Sequence, residues 1–181
     1  MPLLDPILPP EARLPECARE LLAALYPTVR WRDVTFHAEL PPSLRRFTDV
    51  AITLPDPLAV RHLRIFVAKK HWNPCAVDGL GLLVHEAFHV LQYQEALGGA
   101  GLGPLRVFPV KYLTAALLLG EGGARKNRYE KPAYEHEARF RKQCKDLAIC
   151  DCRGEVPVFD RAALAELLRR DPGLVKRSTR G

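Results

Sequence analysis

The sequence predicts one α+β domain in which a short antiparallel sheet packs on a buried helix, with further helices following toward the C-terminus. The buried helix is predicted from an apolar run over residues 80–97, which has hydrophobic side chains on most of its faces. Strands are predicted over 29–37, 49–54 and 63–68, where β-branched and aromatic residues concentrate between proline-rich turns. A chain of 181 residues with 48% hydrophobic composition suits a single globular domain with an adequate core.

The first part of the chain is predicted to form an arm followed by a helix. Four of the first ten residues are proline, which favours an extended arm. Residues 11–25 place leucines at helical spacing, and Pro27 ends that pattern. We therefore divide the domain into an N-terminal arm and helix (1–27), a core (28–145) and a C-terminal helix with a basic tail (146–181).

The central helix has signals at both ends, since Asp78 is a plausible N-cap and Gly98-Gly99 follows its last turn. Beyond it, residues 101–109 are predicted as a loop and 110–119 as a second apolar helix. The glycines over 120–123 end that helix and would suit a mobile lid.

Two more helices are predicted near the C-terminus. Residues 129–144 form one, with Pro132 tolerable only in its first turn. Asp160 caps a last helix over 161–170, and the tail after Pro172-Gly173 is predicted to be loose.

The central helix carries the pattern H-E-x-x-H as His85, Glu86 and His89. Two histidines four residues apart project from one face of a helix and can bind one Zn²⁺. A carboxylate between them can take a proton from a water that the metal activates. A chance match with ordinary packed histidines is the alternative, but two imidazoles and a carboxylate buried without partners would each cost about 1–3 kcal/mol. A metal explains their burial better.

A catalytic zinc takes three protein ligands and keeps one position for water. After His89 the chain has no H-x-x-G-x-x-H continuation, so the third ligand is expected to be a glutamate from another helix. The candidates are Glu130, Glu135 and Glu137. Glu130 and Glu135 both fit E-x-x-A, in which the alanine would let two helices approach closely.

These motifs together resemble a known family. The strands, the run Leu82-Leu83-Val84-His85-Glu86-Ala87-Phe88-His89-Val90-Leu91-Gln92 and then Tyr129-Glu130-Lys131-Pro132-Ala133-Tyr134 are similar to the gluzincin-like metallopeptidase domain in the core of extracellular contractile injection systems. The resemblance covers roughly residues 28–140. Family members, many of unknown function, show H-E-[LW]-x-H-V-x-Q and then N-P-[YF]-E-x-E-A. Here Arg128 stands where proline is usual, and Pro132 replaces the second glutamate.

The resemblance implies a small zincin-like fold with Zn²⁺ held by His85, His89 and Glu130. The departures in the second motif keep Glu135 and Glu137 as substitutes for Glu130. By analogy with that fold, the strand over 63–68 would lie at the edge of the cleft and pair with an extended peptide.

Other residues are candidates for supporting roles. Zincins stabilise the oxyanion with a side chain opposite the metal, for which Tyr134 is our candidate and His136 and Tyr112 are alternatives. Asp49 is a candidate hydrogen-bond partner for the outer nitrogen of a ligand histidine.

We therefore expect zinc-dependent hydrolysis of a peptide or protein substrate, with Glu86 as general base and acid. The alternative is a non-catalytic, zinc-binding module that serves as a structural or interaction component of a larger assembly. Glu86 favours chemistry, because a purely structural site needs no base.

Five cysteines make an odd number, which favours free thiols over a complete disulfide framework. Cys144, Cys150 and Cys152 cluster, so a local disulfide or a three-thiolate metal site are alternatives for them. Cys75 could bind the zinc as an inhibitory thiolate, although an ordinary buried cysteine is the simpler interpretation.

The net charge of +6 concentrates between residues 125 and 145 and again over 169–180. We interpret it as a solvated surface and expect no nucleic-acid partner, because exposed aromatics and a reading element are lacking. The sequence has neither an apolar run of about 18 residues nor a signal peptide, which predicts a cytoplasmic protein without a membrane span. Export by a machine that reads no N-terminal signal stays compatible with this.

Overall fold

The computed structural model describes residues 8–45, 48–56, 59, 61–98, 129–151 and 158–178. The chain is an α+β protein, as predicted. Its helices and strands follow in the order α1 (Glu16–Leu25), β1 (Val34–His37), β2 (Ala51–Pro55), β3 (Leu63–Val67), α2 (Val77–Gly98), α3 (Glu130–Cys144), β4 (Cys150–Asp151), β5 (Val158–Phe159) and α4 (Arg161–Arg170).

Within the described ranges, the main sheet contains β1, β2 and β3 in the spatial order β1-β3-β2. β2 runs antiparallel to β3, with Thr53 opposite Ile65, whereas β1 runs parallel to β3, with Phe36 opposite Ile65. The prediction of a short antiparallel sheet is therefore confirmed for β2 and β3 and wrong for β1. The reason is that β2 and β3 form the adjacent antiparallel pair, and β1 joins on the far side of β3 in the same direction.

The strand order also shows which strand lies at the edge of the sheet. β3 lies in the centre with a partner on each side, so the expectation that residues 63–68 line the cleft edge was wrong. Among the strands that the structure describes, β2 lies at an edge instead. Beyond β1, the sheet is extended by a single bridge between Glu11 and His37.

The sheet has apolar residues on both faces. Leu63, Ile65 and Val67 of β3 belong to the main core with α1 and α2. Ile52 and Phe66 belong to a smaller cluster on the opposite face, together with Leu40 and Leu44. The alternation follows from the two-residue period of a strand, and it directs Thr53 toward the helices.

Several predicted boundaries differ from the observed ones near the N-terminus. α1 begins at Glu16 rather than at residue 11, because Pro15 precedes it and residues 11–12 are extended against β1. β1 begins only at Val34, after the 3₁₀ turn Trp31–Asp33. α2 begins at Val77, so the predicted N-cap Asp78 lies inside the first turn.

Toward the C-terminus, Asp160 caps α4 as predicted and accepts a hydrogen bond of 2.9 Å from the amide of Ala163. The tail is not loose over its described residues, contrary to the prediction. Leu174 is fully buried and the amide of Lys176 donates to the carbonyl of Leu25 at 2.7 Å. The short pair β4 and β5 was not predicted, because two-residue strands leave no periodic pattern.

The cysteines divide into two groups. Cys17, Cys144 and Cys150 are buried free thiols, as expected, so Cys144 and Cys150 form no local disulfide. Cys75 is disulfide-bonded, so the free-thiol expectation was wrong there and no thiolate is available at this residue to cap a metal.

Some predictions concern residues outside the described ranges. These are the loop over 101–109, the helix over 110–119, the glycines over 120–123, Tyr112 and Cys152. Among the residues that are described, no helix combines the length and apolar character needed to cross a membrane.

Candidate metal centre

α2 is buried on most sides, and its polar residues lie within that buried surface. Its core-facing residues include Leu83, Val84, Ala87 and Val90. His85, Glu86 and His89 are buried as well, at 5%, 3% and 1% exposure. Because helical neighbours four residues apart share a face, the two imidazole rings lie side by side, with centroids 4.9 Å apart.

α3 packs against α2 and brings the third side chain. Glu130 is the first residue of α3 and is buried. Ala133, one turn later, is fully buried, which is consistent with a small residue where the two helices approach. Pro132 lies in the first turn, where its missing amide proton costs nothing, as predicted.

The three side chains converge on one point. Nε2 of His85 lies 3.2 Å from Nε2 of His89 and 3.2 Å from Oε2 of Glu130, and Nε2 of His89 lies 3.5 Å from Oε1 of Glu130. A tetrahedral zinc with bonds of about 2.0–2.1 Å separates its ligand atoms by about 3.3–3.4 Å. The spacing of the two nitrogens is close to that of two corners of a zinc tetrahedron, and each nitrogen faces a different oxygen of Glu130. One ligand atom from each residue lies within 4.8 Å of the other two, and a donor set of two nitrogens and a carboxylate suits zinc. Across the described chain, this is the one group of His, Cys, Asp and Glu side chains with metal-binding geometry.

The outer ring nitrogens both have hydrogen-bond partners. Nδ1 of His89 lies 2.9 Å from Oε1 of Gln92, whose Nε2 donates to the carbonyl of Tyr129 at 3.1 Å. Gln92 thus connects one histidine to the residue before Glu130. Nδ1 of His85 lies 3.1 Å from Oε2 of Glu137.

Burial by itself would lower the pKa of His85, but the hydrogen bonds to Glu130 and Glu137 outweigh it and raise the pKa to about 10. A cation is therefore favoured between these carboxylates. A metal ion that binds Nε2 would take the place of this proton, so metal binding would release it.

Glu86 lies beside the ligand group and is not part of it. Its Oε2 accepts a hydrogen bond of 2.6 Å from the hydroxyl of Thr53 in β2. Burial raises the pKa of Glu86, and the charges of His85 and His89 oppose that shift. A carboxylate with a raised pKa is suited to exchange a proton near neutral pH.

Tyrosines lie on two sides of the centre. The ring of Tyr134 contacts the ring of His85 edge-on at 4.6 Å and is 37% exposed. Tyr93 continues the four-residue spacing of His85 and His89 and is buried. Burial raises its pKa, and the nearby charges of Glu86 and Glu130 add to that. The spacing was a signal for Tyr93 that the sequence analysis missed.

Other candidates lie elsewhere. Glu135 is exposed and faces Lys131 at 3.8 Å, and Asp49 is exposed and paired with Lys70 at 2.8 Å. His136 is buried between the rings of Tyr26 and Phe88, where the described residues offer its nitrogens no hydrogen-bond partner. Of the three candidate glutamates, Glu130 meets both histidines at their inner nitrogens.

No protein-family model, curated protein or solved structure matches this chain.

Proposed function

We propose that this chain is a zinc-dependent peptidase of the gluzincin type, with Zn²⁺ held by His85, His89 and Glu130. The observation that carries the proposal is the buried convergence of these three side chains: the two Nε2 atoms lie 3.2 Å apart, and the two oxygens of Glu130 lie 3.2 and 3.5 Å from them. Three protein ligands, rather than four, are typical of a catalytic zinc site, since one position stays open for water or substrate.

Glu86 is the general base and acid in this proposal. The hydroxyl of Thr53 fixes Oε2 of Glu86, which leaves Oε1 to exchange a proton. When bound, zinc supplies a Lewis acid that polarises the scissile carbonyl and lowers the pKa of water. Glu86 then accepts the proton of the attacking water and delivers it to the leaving amine. Tyr134, beside His85, is the proposed hydrogen-bond donor to the oxygen that becomes negative.

A peptide substrate would pair with β2. Among the described strands β2 pairs with β3 alone, so one of its edges can add an extended peptide. Thr53 connects this strand directly to Glu86. A peptide on this edge would therefore lie next to the proposed base, whereas the central β3 has no such edge.

The alternative is a non-catalytic zinc module within a larger assembly. The observation that favours it is burial, since His85, Glu86, His89 and Glu130 are all less than 10% exposed. A substrate needs access to these groups, whereas a structural metal does not.

The test measures metal content and hydrolysis in the wild type, in Glu86→Gln and in Glu135→Gln as an exposed control. The wild type should bind one zinc per chain and cleave members of a quenched fluorescent peptide library. Glu86→Gln should keep its zinc and lose activity by about 10²–10⁴-fold, because it cannot exchange the proton. Glu135→Gln should behave like the wild type.

Two outcomes would contradict the proposed peptidase activity. A wild type that binds no zinc after refolding with the metal would remove the metal centre. A zinc-loaded wild type that cleaves nothing in a broad library would favour the module.

A further inference from the structure

Two glutamates on the same side of α3 hold one histidine between them. Glu137 follows Glu130 by seven residues, which is about two helical turns, so both side chains face α2. Glu130 meets the inner nitrogen of His85 at 3.2 Å, and Glu137 meets the outer nitrogen at 3.1 Å. The imidazole of His85 thus has a carboxylate at each end.

Glu137 is itself held by an arginine. Its Oε1 accepts a hydrogen bond of 2.9 Å from Nε of Arg141, one turn further along α3, and forms an ion pair with Nη2 of the same residue at 2.7 Å. Arg141 then reaches back to α2, where it donates to the carbonyl of Asp78 at 2.9 Å and contacts the carboxylate of the same residue. The path starts on α2 at Asp78, crosses α3 and returns to α2 at His85.

Exposure falls steadily along this path. The side chains of Asp78, Arg141, Glu137 and His85 are 93%, 33%, 14% and 6% exposed. Water and salt weaken exposed charged contacts more than buried ones. The contact between Glu137 and His85 is therefore the strongest of the three, and the contact at Asp78 is the weakest.

The contact at Glu137 acts on how His85 binds a metal. With a metal on Nε2, Nδ1 would carry the proton and donate it to the carboxylate of Glu137 at 3.1 Å, which would fix the ring orientation and direct the lone pair of Nε2 at the metal position. An anionic partner also raises the basicity of the imidazole, so that Nε2 is a stronger ligand for the metal. His89 has a neutral partner, Gln92. A charged partner therefore acts on metal binding through His85 and not through His89.

We propose that Asp78, Arg141 and Glu137 are positioning residues that set the metal affinity of the centre through His85. The proposal rests on the metal binding in the proposed function and is independent of peptide hydrolysis. A purely structural bond between α2 and α3 predicts something different. Its loss would lower the stability of the metal-free protein and leave zinc affinity unchanged.

The experiment measures the zinc dissociation constant by competition with a chromophoric chelator, together with the Tm of each metal-free protein. Glu137→Leu removes charge and acceptor, whereas Glu137→Gln keeps an acceptor oxygen like the one that Gln92 offers His89. Arg141→Met keeps the aliphatic stem, and Asp78→Asn removes the outermost charge. Glu135→Gln is the control, because it changes an exposed charge on the same helix.

Glu137→Leu should weaken zinc binding by about 10–100-fold, with smaller losses in Glu137→Gln and Arg141→Met and the smallest in Asp78→Asn. The control should match the wild type. If Glu137→Leu does not fold, Glu137→Gln still decides, because it keeps an acceptor oxygen and its zinc affinity can be measured at a temperature where its metal-free form is folded.

Equal zinc affinity in the wild type and both Glu137 variants would overturn the proposal, as would a lowered metal-free Tm with unchanged affinity. A wild type without zinc would instead overturn the metal centre itself, and this proposal with it.

Discussion

Two regions of this molecule use the same charged groups in different surroundings. Around the candidate metal centre, Arg141 contacts Glu137, and Glu137 contacts the buried His85. On α4, Glu166 accepts hydrogen bonds from Arg169 and Arg170 at 2.7 and 2.9 Å on the surface. The hydrogen bonds on α4 are no longer than the 2.9 and 3.1 Å around the centre, but the side chain of Arg169 is 74% exposed and that of His85 is 6% exposed.

The comparison shows that burial, rather than the number of ion pairs, decides how much a charged group matters. When one member of an exposed ion pair is removed, water solvates the other, so the free energy of unfolding changes little. Water does not reach a buried polar group, so removing its partner leaves the group without a hydrogen bond. We therefore expect substitutions around the centre to have large effects and those on α4 to have small ones.

The largest effect is expected from Glu130→Ala, because Glu130 contacts both histidines. Its loss should weaken zinc binding by more than about 100-fold, beyond the range for partners of ligands. The check is the zinc dissociation constant, with Glu135→Ala as the matched control on the exposed side of α3. Equal affinity in the two variants would mean that another residue completes the centre.

An intermediate effect is expected from His136, which is buried but lies outside the ligand group. Burial lowers its pKa to about 4, and the charges of Lys176 and Arg139 act in the same direction. Its neutral form is favoured in the folded protein. Above the ordinary pKa of about 6.5, His136 is neutral in both states and the free energy of unfolding has its full value. As pH falls from there to about 4, the unfolded state binds a proton that the folded state excludes, so the free energy of unfolding falls.

A shift of this size corresponds to about 3 kcal/mol. His136→Leu, which has a similar volume, should remove this part of the acid sensitivity. The measurement is urea unfolding of metal-free wild type and variant between pH 4 and 7. Parallel stability curves for the two proteins across that range would show that His136 does not contribute.

The smallest effect is expected from Glu166→Gln, although hydrogen bonds from Arg169 and Arg170 lower the pKa of Glu166 to about 2. The surface position means that solvent screens these bonds. The variant should melt close to the wild type, and any difference should shrink as salt is added. A loss of Tm as large as that of a buried substitution would contradict the comparison.

The parts of the centre that the sequence predicted are those that depend on local geometry. His85 and His89 share a face because a helix repeats every 3.6 residues, whatever surrounds it. Glu130 needed a second helix, and the sequence left Glu135 and Glu137 open because all three lie within two turns. The way α3 packs on α2 decided among them, by placing Glu130 at the inner nitrogens and Glu137 at an outer one.

Thr53 could not have been predicted as a partner of Glu86, since 33 residues separate them and threonine is ordinary in a strand. The sheet shows the same limit. The three strand segments were recognisable from composition, but the parallel pairing of β1 with β3 depends on the path between them.

The sequence by itself therefore determined the H-E-x-x-H face, the cap at Asp160 and the α+β class, because each follows from interactions between residues close in the chain. Only the tertiary structure decided the strand order, the choice of Glu130, and the partners Thr53 and Glu137. These depend on contacts between distant segments, whose geometry is set by how the whole core packs and not by any local pattern.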